Sequence, residues 1–149
     1  MIRIEKILCP VDFSAPSELA LRYARMFAES SHAELHVLHV IEPLIYPSEY
    51  GLASMAAVDL EGEARSNAEK GLQGLAAKHL QGVAATLTLH VGRAVEAIVE
   101  EARKGSFDLI VIGTHGRTGV SHLLLGSTAE KVVRLAPCPV LTVKPTEVG

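Results

Sequence analysis

The chain has 149 residues, of which 48% are hydrophobic and 21% are charged, a composition typical of a globular domain and not of a disordered chain. Its net charge of −3 offers no basic surface for nucleic acid, and no apolar stretch approaches the roughly 20 residues that a membrane helix needs. The first residues also lack the layout of a signal peptide, so we expect a single cytoplasmic domain over residues 1–149, with neither nucleic acid nor a membrane as its partner.

Apolar, β-branched segments alternate along the chain with segments of helical periodicity. The predicted elements are, in order, a strand over Lys6–Val11, a helix over Ala15–Ser31, a strand over Glu34–Ile41, a helix over Met55–His79, a strand over Ala84–Val91, a helix over Ala94–Lys104, a strand over Asp108–Ile112, a helix over Ser127–Arg134 and a strand over Val140–Val143. The first helix has an apolar face made of Leu19, Tyr23, Met26 and Phe27. This alternation predicts an α/β, doubly wound, Rossmann-like fold, in which helices cover both faces of a five-stranded parallel sheet.

One predicted connection, from Glu42 to Ser54, is long and leaves the carboxyl end of the second strand. Long loops in compact domains are often lids or binding loops, and a mobile surface segment is the equal alternative. Tyr46 and Tyr50 in this loop are therefore given no role.

In open α/β sheets, ligands bind at the carboxyl ends of the strands, at the point where the strand order reverses. A strand order of 3-2-1-4-5 places that crevice between the first and the fourth strands. The loop after strand one, Pro10–Ser14, and the segment after strand four, Gly113–Ser127, are the two richest in polar residues and glycine. We therefore expect the ligand between these two segments.

The segment after strand four is the candidate phosphate site. Gly113, Gly116 and Gly126 would allow backbone N–H groups to approach a ligand, and the helix that begins at Ser127 adds partial positive charge. The chain has neither a GxxxxGK[ST] P-loop nor a dinucleotide-binding GxGxxG after strand one. Asp12, on the opposite side, would repel phosphate and suits a ribose hydroxyl or an adenine amino group instead.

Several of these residues also have a structural interpretation. Asp12 or Ser14 is a candidate N-cap of the first helix, and this role is compatible with binding. Ser127 and Glu130 have the S-x-x-E spacing of a capping box, which would explain the serine without any ligand. The hydroxyls of Ser127 and Thr128 are, alternatively, phosphate ligands.

The roles of the other residues in this segment are equally open. Gly113 and Gly116 either admit a ligand or form turns, and Arg117 either contacts phosphate or is a solvated surface residue. His115 and His122 flank the segment with no Cys or carboxylate at metal-ligating spacing, so no protein metal site is predicted.

The remaining histidines and cysteines are assigned no chemistry. His36 and His39 lie on opposite faces of strand two and are interpreted as structural residues. Cys9 and Cys138 each sit in an apolar run beside a proline, and we interpret them as free, buried thiols.

These residues resemble the universal stress protein family. Its ATP-binding members carry G-x2-G-x9-G-[ST], a spacing matched by Gly113, Gly116, Gly126 and Ser127. The resemblance extends over nearly the whole chain. It includes the opening segment Ile7–Ser14, the end of strand two at His39–Val40 and the closing segment Ala136–Leu141.

The resemblance implies a sheet of order 3-2-1-4-5 that binds ATP, often with Mg²⁺ or Mn²⁺. It places Asp12 and Val40 near the adenosine, and the three glycine backbones with the Ser127 hydroxyl near the phosphates. The further pocket neighbours are Pro10, Val11, His115, Arg117 and Thr128. Similar proteins form homodimers through the last strand, here Val140, Leu141, Thr142 and Val143.

The function implied is a nucleotide-binding stress-response or signalling module that acts through nucleotide-dependent changes in conformation or partners. Hydrolysis needs a placed water and a base, and the sequence supplies Asp12 and His115 as candidate groups, so we predict slow turnover or none. The alternatives are a weak ATP hydrolase or phosphotransferase, and a dimeric structural module that binds no nucleotide.

Overall fold

Strands and helices alternate in the predicted order. The computed structural model describes residues 1–43, 53–115 and 125–145, apart from the side chains of residues 53–59. The elements are β1 (Lys6–Pro10), α1 (Ala15–Ser31), β2 (Glu34–Ile41), α2 (Ala53–His79), β3 (Ala85–Val91), α3 (Ala94–Lys104), β4 (Leu109–Gly113), α4 (Ser127–Leu135) and β5 (Val140–Val143). Their ends agree with the predicted ones to within two residues. Most of the long connection after Glu42, with its two tyrosines, lies outside the described residues.

The strands form a parallel sheet of order β3-β2-β1-β4-β5, which confirms the predicted fold class and strand order. β1 lies in the middle, where Leu8 pairs with His36 of β2 on one side and with Ile110 of β4 on the other. Chain order reverses between β1 and β4, so the crevice predicted for this topology lies at the carboxyl ends of these two strands.

Helices cover both faces of the sheet because successive strand residues point to opposite sides. On one face, Ile7 and Val37 pack with Leu21 of α1 and Leu72 of α2. The residues that form the core of the other face are Leu8, Leu38 and Ile110 of the sheet with Ile98 of α3 and Val132 of α4. In the part of the chain described, no helix combines the length and hydropathy needed to cross a membrane.

The predicted apolar face of α1 is wrong for two of its four residues, Tyr23 and Met26. The residues that α1 buries are Ser17, Ala20, Leu21, Ala24 and Ala28. Tyr23 and Met26 are 40% and 49% exposed, and Leu19 and Phe27 are partly buried at the margin of the core. Small side chains allow the helix axis to lie close to β1 and β4, which leaves the larger side chains at the edges of the contact.

The cysteines are free thiols, as predicted. Cys9 is fully buried on β1, and burial raises the pKa of its thiol far above the ordinary value. Cys138 is half-buried, and its pKa is raised by burial and by the charge of Asp108. A raised pKa favours the protonated thiol at neutral pH, so neither residue has the lowered pKa that is typical of an activated nucleophile.

Candidate functional site

The predicted adenosine-side residues lie together at the carboxyl edge of the sheet, meaning the edge at which the parallel strands end. β1 ends at Pro10, followed by Val11 and Asp12, and Val40 is the penultimate residue of β2. The Val11 N–H donates to the carbonyl oxygen of Leu38 at 2.8 Å, which extends the contact between the two chain segments beyond β1.

The predicted phosphate-side residues form a second group across the crevice. β4 ends at Gly113, and α4 begins with Gly126 as its N-cap. The described residues that complete this group are His115, Ser127 and Thr128. Gly116 and Arg117, and the flanking His122, lie outside the described residues.

Ser14 caps α1, which confirms the structural interpretation of this loop. Its side chain accepts a hydrogen bond from the Ser17 N–H at 3.4 Å, and its own N–H and hydroxyl both donate to Oδ1 of Asp12. The buried hydroxyl of Ser17 accepts from the Asp12 N–H at 3.2 Å and donates to the Ser14 carbonyl at 3.0 Å. Asp12 is therefore held in a fixed position at the mouth of the crevice.

Phe13 and His39 fix the same loop from the other side. Phe13 has a left-handed backbone (φ 66°), unusual for a large side chain, and its ring lies 4.3 Å from the ring of His39. Nδ1 of His39 lies 2.7 Å from the carbonyl oxygen of Val11, and because a carbonyl can only accept, Nδ1 carries the proton. The structural role predicted for His39 is confirmed.

Gly71 of α2 makes room for the Phe13 ring. A Cβ at this position would lie 2.7 Å from Cζ of Phe13, closer than real Cβ atoms approach. The loop that carries Asp12 is thus wedged between β2 and α2.

Gly113 and Gly126 both lie against the protein's own backbone. A Cβ at Gly113 would approach the carbonyl carbon and oxygen of Pro16 to 2.9 Å, and one at Gly126 would approach the Thr114 carbonyl oxygen to 2.6 Å. The Gly126 N–H also donates to that oxygen. These two glycines are therefore needed for close packing of α1 and α4 against the end of β4, whether or not a ligand is bound.

The capping box predicted for Ser127 and Glu130 is wrong. The N-cap is Gly126, one residue earlier, and no side chain caps α4 among the described residues. The Glu130 carboxylate instead accepts from the Arg134 guanidinium at 3.0 Å, one turn further along the helix. Ser127 is the first helical residue, so its presence is not explained by capping.

Four helices begin at the carboxyl edge, and the N-termini of the three whose first side chains are described, α1, α3 and α4, are satisfied differently. Ser14 caps α1, and Oε1 of Glu42 accepts from the N–H of Ala94 at the start of α3, at 3.0 Å. In the described part of the chain α4 has no such side chain. Helix N-termini carry partial positive charge and unbonded N–H groups, so the start of α4 has the character that suits an anion.

Thr114, which the sequence analysis did not single out, lies among the residues of the candidate site. It is fully buried, and its N–H donates to the carbonyl oxygen of Val143 in β5 at 3.0 Å. Its hydroxyl oxygen lies 2.9 Å from Nδ1 of His115. A polar residue directly after the apolar strand β4 was the available signal, but a threonine there has no distinctive spacing.

The chain matches a known protein family over nearly its whole length. The family model described as "Universal stress protein family" matches residues 3–144. The universal stress protein MJ0531 of Methanocaldococcus jannaschii is 35% identical, over 94% of this chain and 82% of that protein. MJ0577 of the same organism is 31% identical, over 96% of both chains.

Solved structures agree with these relatives. That of MJ0577 superposes with a TM-score of 0.84 at 28% identity, covering 98% of this chain and 99% of the other. The universal stress protein of Archaeoglobus fulgidus in complex with dAMP has a TM-score of 0.68 at 24% identity, with 97% and 100% coverage. A universal stress protein in complex with cAMP has a TM-score of 0.72 at 24% identity, with 95% and 98% coverage. At such identities the last two likenesses are likenesses of fold.

Proposed function

Because the chain belongs to the universal stress protein family, we propose that it binds an adenine nucleotide, foremost ATP, in the crevice between β1 and β4. Residues 1–149 then act as one stress-response or signalling domain, whose conformation or partners change with the bound nucleotide. The dAMP and cAMP complexes of proteins with this fold support the choice of an adenine nucleotide.

The observation that carries the proposal is the start of α4. This helix begins in the crevice without a capping side chain from the described residues, while the neighbouring α1 and α3 are capped by Ser14 and Glu42. Phosphate oxygens would take the place of the missing cap and receive hydrogen bonds from the first N–H groups of the helix. In this proposal Ser127 and Thr128 contact phosphate, together with Gly113, Gly126 and His115.

The adenosine would lie on the side of β1. Asp12 is held there by Ser14 and Ser17, and Val11 and Val40 provide apolar contacts near Pro10. A carboxylate on this side suits hydroxyl or amino donors, whereas it would repel phosphate. Charge therefore orients the nucleotide, with its phosphates toward α4. Gly116 and Arg117 complete the proposed site from the sequence motif.

We also propose that a divalent ion binds together with the phosphates. No cluster of three or more metal-ligating side chains occurs among the described residues. Mg²⁺ and Mn²⁺ prefer oxygen ligands, and Mg²⁺ is commonly bound through one or two protein groups plus substrate phosphates. We propose that the phosphate oxygens and water molecules are the ligands of this ion.

We also propose that two copies pair through β5. Val140, Leu141 and Thr142 of this strand are half-buried, and β5 pairs with β4 along one edge in the described sheet. An apolar edge strand is a surface that natural proteins commonly cover.

The first experiment asks whether a nucleotide is bound. The purified protein is denatured, the released small molecules are separated by chromatography, and thermal unfolding of the emptied protein is followed with added Mg-ATP. Recovery of an adenine nucleotide and a rise in the midpoint temperature are expected. If no nucleotide is recovered and Mg-ATP does not raise the midpoint temperature, the result favours the alternative of a structural module that binds no nucleotide.

A second experiment tests the phosphate side directly. The substitution Ser127→Glu places a carboxylate at the first position of α4. It should leave the free energy of unfolding unchanged or slightly higher, because a carboxylate suits a helix N-terminus. The same carboxylate would repel phosphate, so Mg-ATP affinity should fall at least tenfold. Arg134→Gln, at the other end of α4, changes the net charge equally and should leave the affinity unchanged. Equal affinities for all three proteins would refute the assignment.

A further inference from the structure

The backbone hydrogen bonds between β1 and β2 stop at the adenosine side of the crevice. The register of the two strands ends at the pair Pro10 and Leu38, and the last backbone bond runs from the Val11 N–H to the Leu38 carbonyl oxygen. In a parallel ladder the next bond would join the N–H of Val40 to the carbonyl oxygen of Val11. Within the described residues the register does not extend to that bond, and Val11 lies outside β1.

β2 itself continues past this point with β3 as its partner. Its last residue, Ile41, remains paired, and the Ile41 carbonyl oxygen accepts from the Gly92 N–H at 2.9 Å. Because alternate residues of a parallel strand direct their backbone groups to opposite neighbours, the N–H of Val40 points toward β1. The chain after Val11 turns into the loop that leads to α1, so the two strands separate between Val11 and Val40.

A side chain bonds the Val11 carbonyl oxygen in place of the Val40 N–H. Val11 and His39 are both buried, and Nδ1 of His39 donates to that oxygen at 2.7 Å. The imidazole also packs against the ring of Phe13, whose centroid is 4.3 Å away. A buried carbonyl group needs a hydrogen-bond partner. His39 supplies one without drawing β1 and β2 together.

We propose that His39 is a positioning residue that keeps β1 and β2 apart at the adenosine side of the crevice. Its Nδ1–H replaces the next backbone bond of the ladder, the one between Val40 and Val11. That backbone bond would bring the strands to the roughly 4.8 Å spacing of a continuous sheet, which leaves no room for a nucleoside between them. The role in nucleotide binding rests on the proposed function, whereas the replaced bond is a property of the protein without nucleotide.

Scalar couplings across backbone hydrogen bonds test the replaced bond on the nucleotide-free protein. We expect a coupling from the Val11 nitrogen to the Leu38 carbonyl carbon, and none from the Val40 nitrogen to the Val11 carbonyl carbon. His39→Phe keeps a ring against Phe13 but has no donor, so the Val40 coupling should appear and amide exchange at Val40 should slow about tenfold or more. His39→Asn has an amide N–H in the position of Nδ1 and should keep the wild-type pattern. A Val40 coupling in the wild type, or unchanged exchange in His39→Phe, overturns the proposal.

Binding of Mg-ATP is the second readout. His39→Phe should weaken binding by about the factor by which amide exchange slows, because both report the fraction of molecules in which the strands are apart. His39→Asn should bind within about threefold of the wild type. His36→Phe is the control, since it makes the same substitution on the opposite face of β2, where the ring packs 4.8 Å from that of Phe107. It should leave the affinity unchanged, whatever its effect on stability.

Two outcomes would contradict the positioning role. They are a His39→Phe protein that binds Mg-ATP like the wild type, and equal losses of affinity in His39→Phe and His39→Asn. If the couplings show the replaced bond in the wild type but that protein binds no nucleotide, the separation of the strands by His39 stands and the proposed function fails.

Discussion

The end of β4 touches the first turn of α1 so closely that a Cβ on Gly113 would lie 2.9 Å from the carbonyl oxygen of Pro16. The contact involves backbone on both sides, so no side-chain rotation can relieve it. Gly113 therefore determines how closely the end of β4 can approach the first turn of α1. A glycine that the sequence associates with ligand binding is thus also required for the packing of β4 against α1.

Gly113→Ala should accordingly lower the free energy of unfolding by about 1–3 kcal/mol, since overpacking forces the backbone to move. Gly62→Ala is a suitable control, because a Cβ at Gly62 in α2 meets nothing within 4 Å and alanine favours a helix by about 0.5–1 kcal/mol. Urea denaturation of both variants measures the difference. Equal stabilities would show that the contact at Pro16 is looser than described.

A second pair of glycines tests how the β1 loop is held. Gly71→Ala should push the Phe13 ring out of its place against α2 and destabilise the protein, whereas Gly74→Ala, three residues along the same helix, meets no neighbour within 4 Å and should stabilise it. In a Phe13→Ala background the clash is gone, and Gly71→Ala should become as favourable as Gly74→Ala. Unfolding free energies of the four combinations measure this coupling. A destabilising Gly71→Ala in both backgrounds would place the obstruction elsewhere.

The two serines at helix starts should behave differently. Ser14 caps α1, so Ser14→Ala should cost about 1 kcal/mol of stability. Ser127 is already inside α4 and makes no cap, so Ser127→Ala should leave the unfolding free energy within about 0.5 kcal/mol of the wild type. Thermal and urea denaturation without nucleotide are the measurements. If Ser127→Ala instead lowered the free energy of unfolding by about 1 kcal/mol, the result would support the predicted capping box.

Glu18 should make stability depend on acid pH. Its Oε1 accepts from Nζ of Lys78 and from Nε2 of His79, each at 2.6 Å, and these bonds hold the pKa of Glu18 below its ordinary value of 4.5. A carboxyl whose folded pKa is depressed stabilises the fold above its unfolded pKa, and this stabilisation is lost as the pH falls through the folded pKa. Because the Glu18 side chain is 29% exposed, the effect should be about 0.5–1 kcal/mol.

The check is Glu18→Gln in urea at several pH values. It should be less stable than the wild type at pH 7, and the two should converge as the pH falls below 4.5, with the carboxyl increasingly protonated. Glu29→Gln serves as the control, because Glu29 belongs to an exposed pair with Arg25 and should show a smaller difference. A gap between Glu18→Gln and wild type that widens toward acid pH would reverse the sign of this argument.

Element order, sheet order and the location of the crevice were predictable because they follow from long-range alternation of strands and helices, which local errors barely affect. The buried face of α1 was not predictable in this way. Helical periodicity admits both a stripe through Tyr23 and Met26 and a stripe through Ala20 and Ala24, and burial followed the smaller residues because the helix lies close to β4. Distance between elements is a tertiary property that a single sequence does not display.

The prediction of a capping box at Ser127 was wrong for a related reason. Ser127 and Glu130 have the right spacing, but the start of α4 is set by the contact of Gly126 with the Thr114 carbonyl, and Glu130 found Arg134 instead. Thr114 itself was overlooked because its importance depends on what surrounds it in space. Motif residues could be located from sequence, whereas a residue whose backbone bonds connect the end of β4 to β5 and α4 could not.

The bonds of Thr114 have a consequence for assembly. One residue receives β5 through Val143 and holds the first turn of α4 through Gly126, so a shift of the outer strand cannot leave that turn undisturbed. If two copies associate through β5 and nucleotide binding shifts that strand, occupancy of one crevice and the strength of association are thermodynamically linked, and each must alter the other by the same factor. Nucleotide affinity would then depend on protein concentration, and dilution alone would act as a regulatory variable.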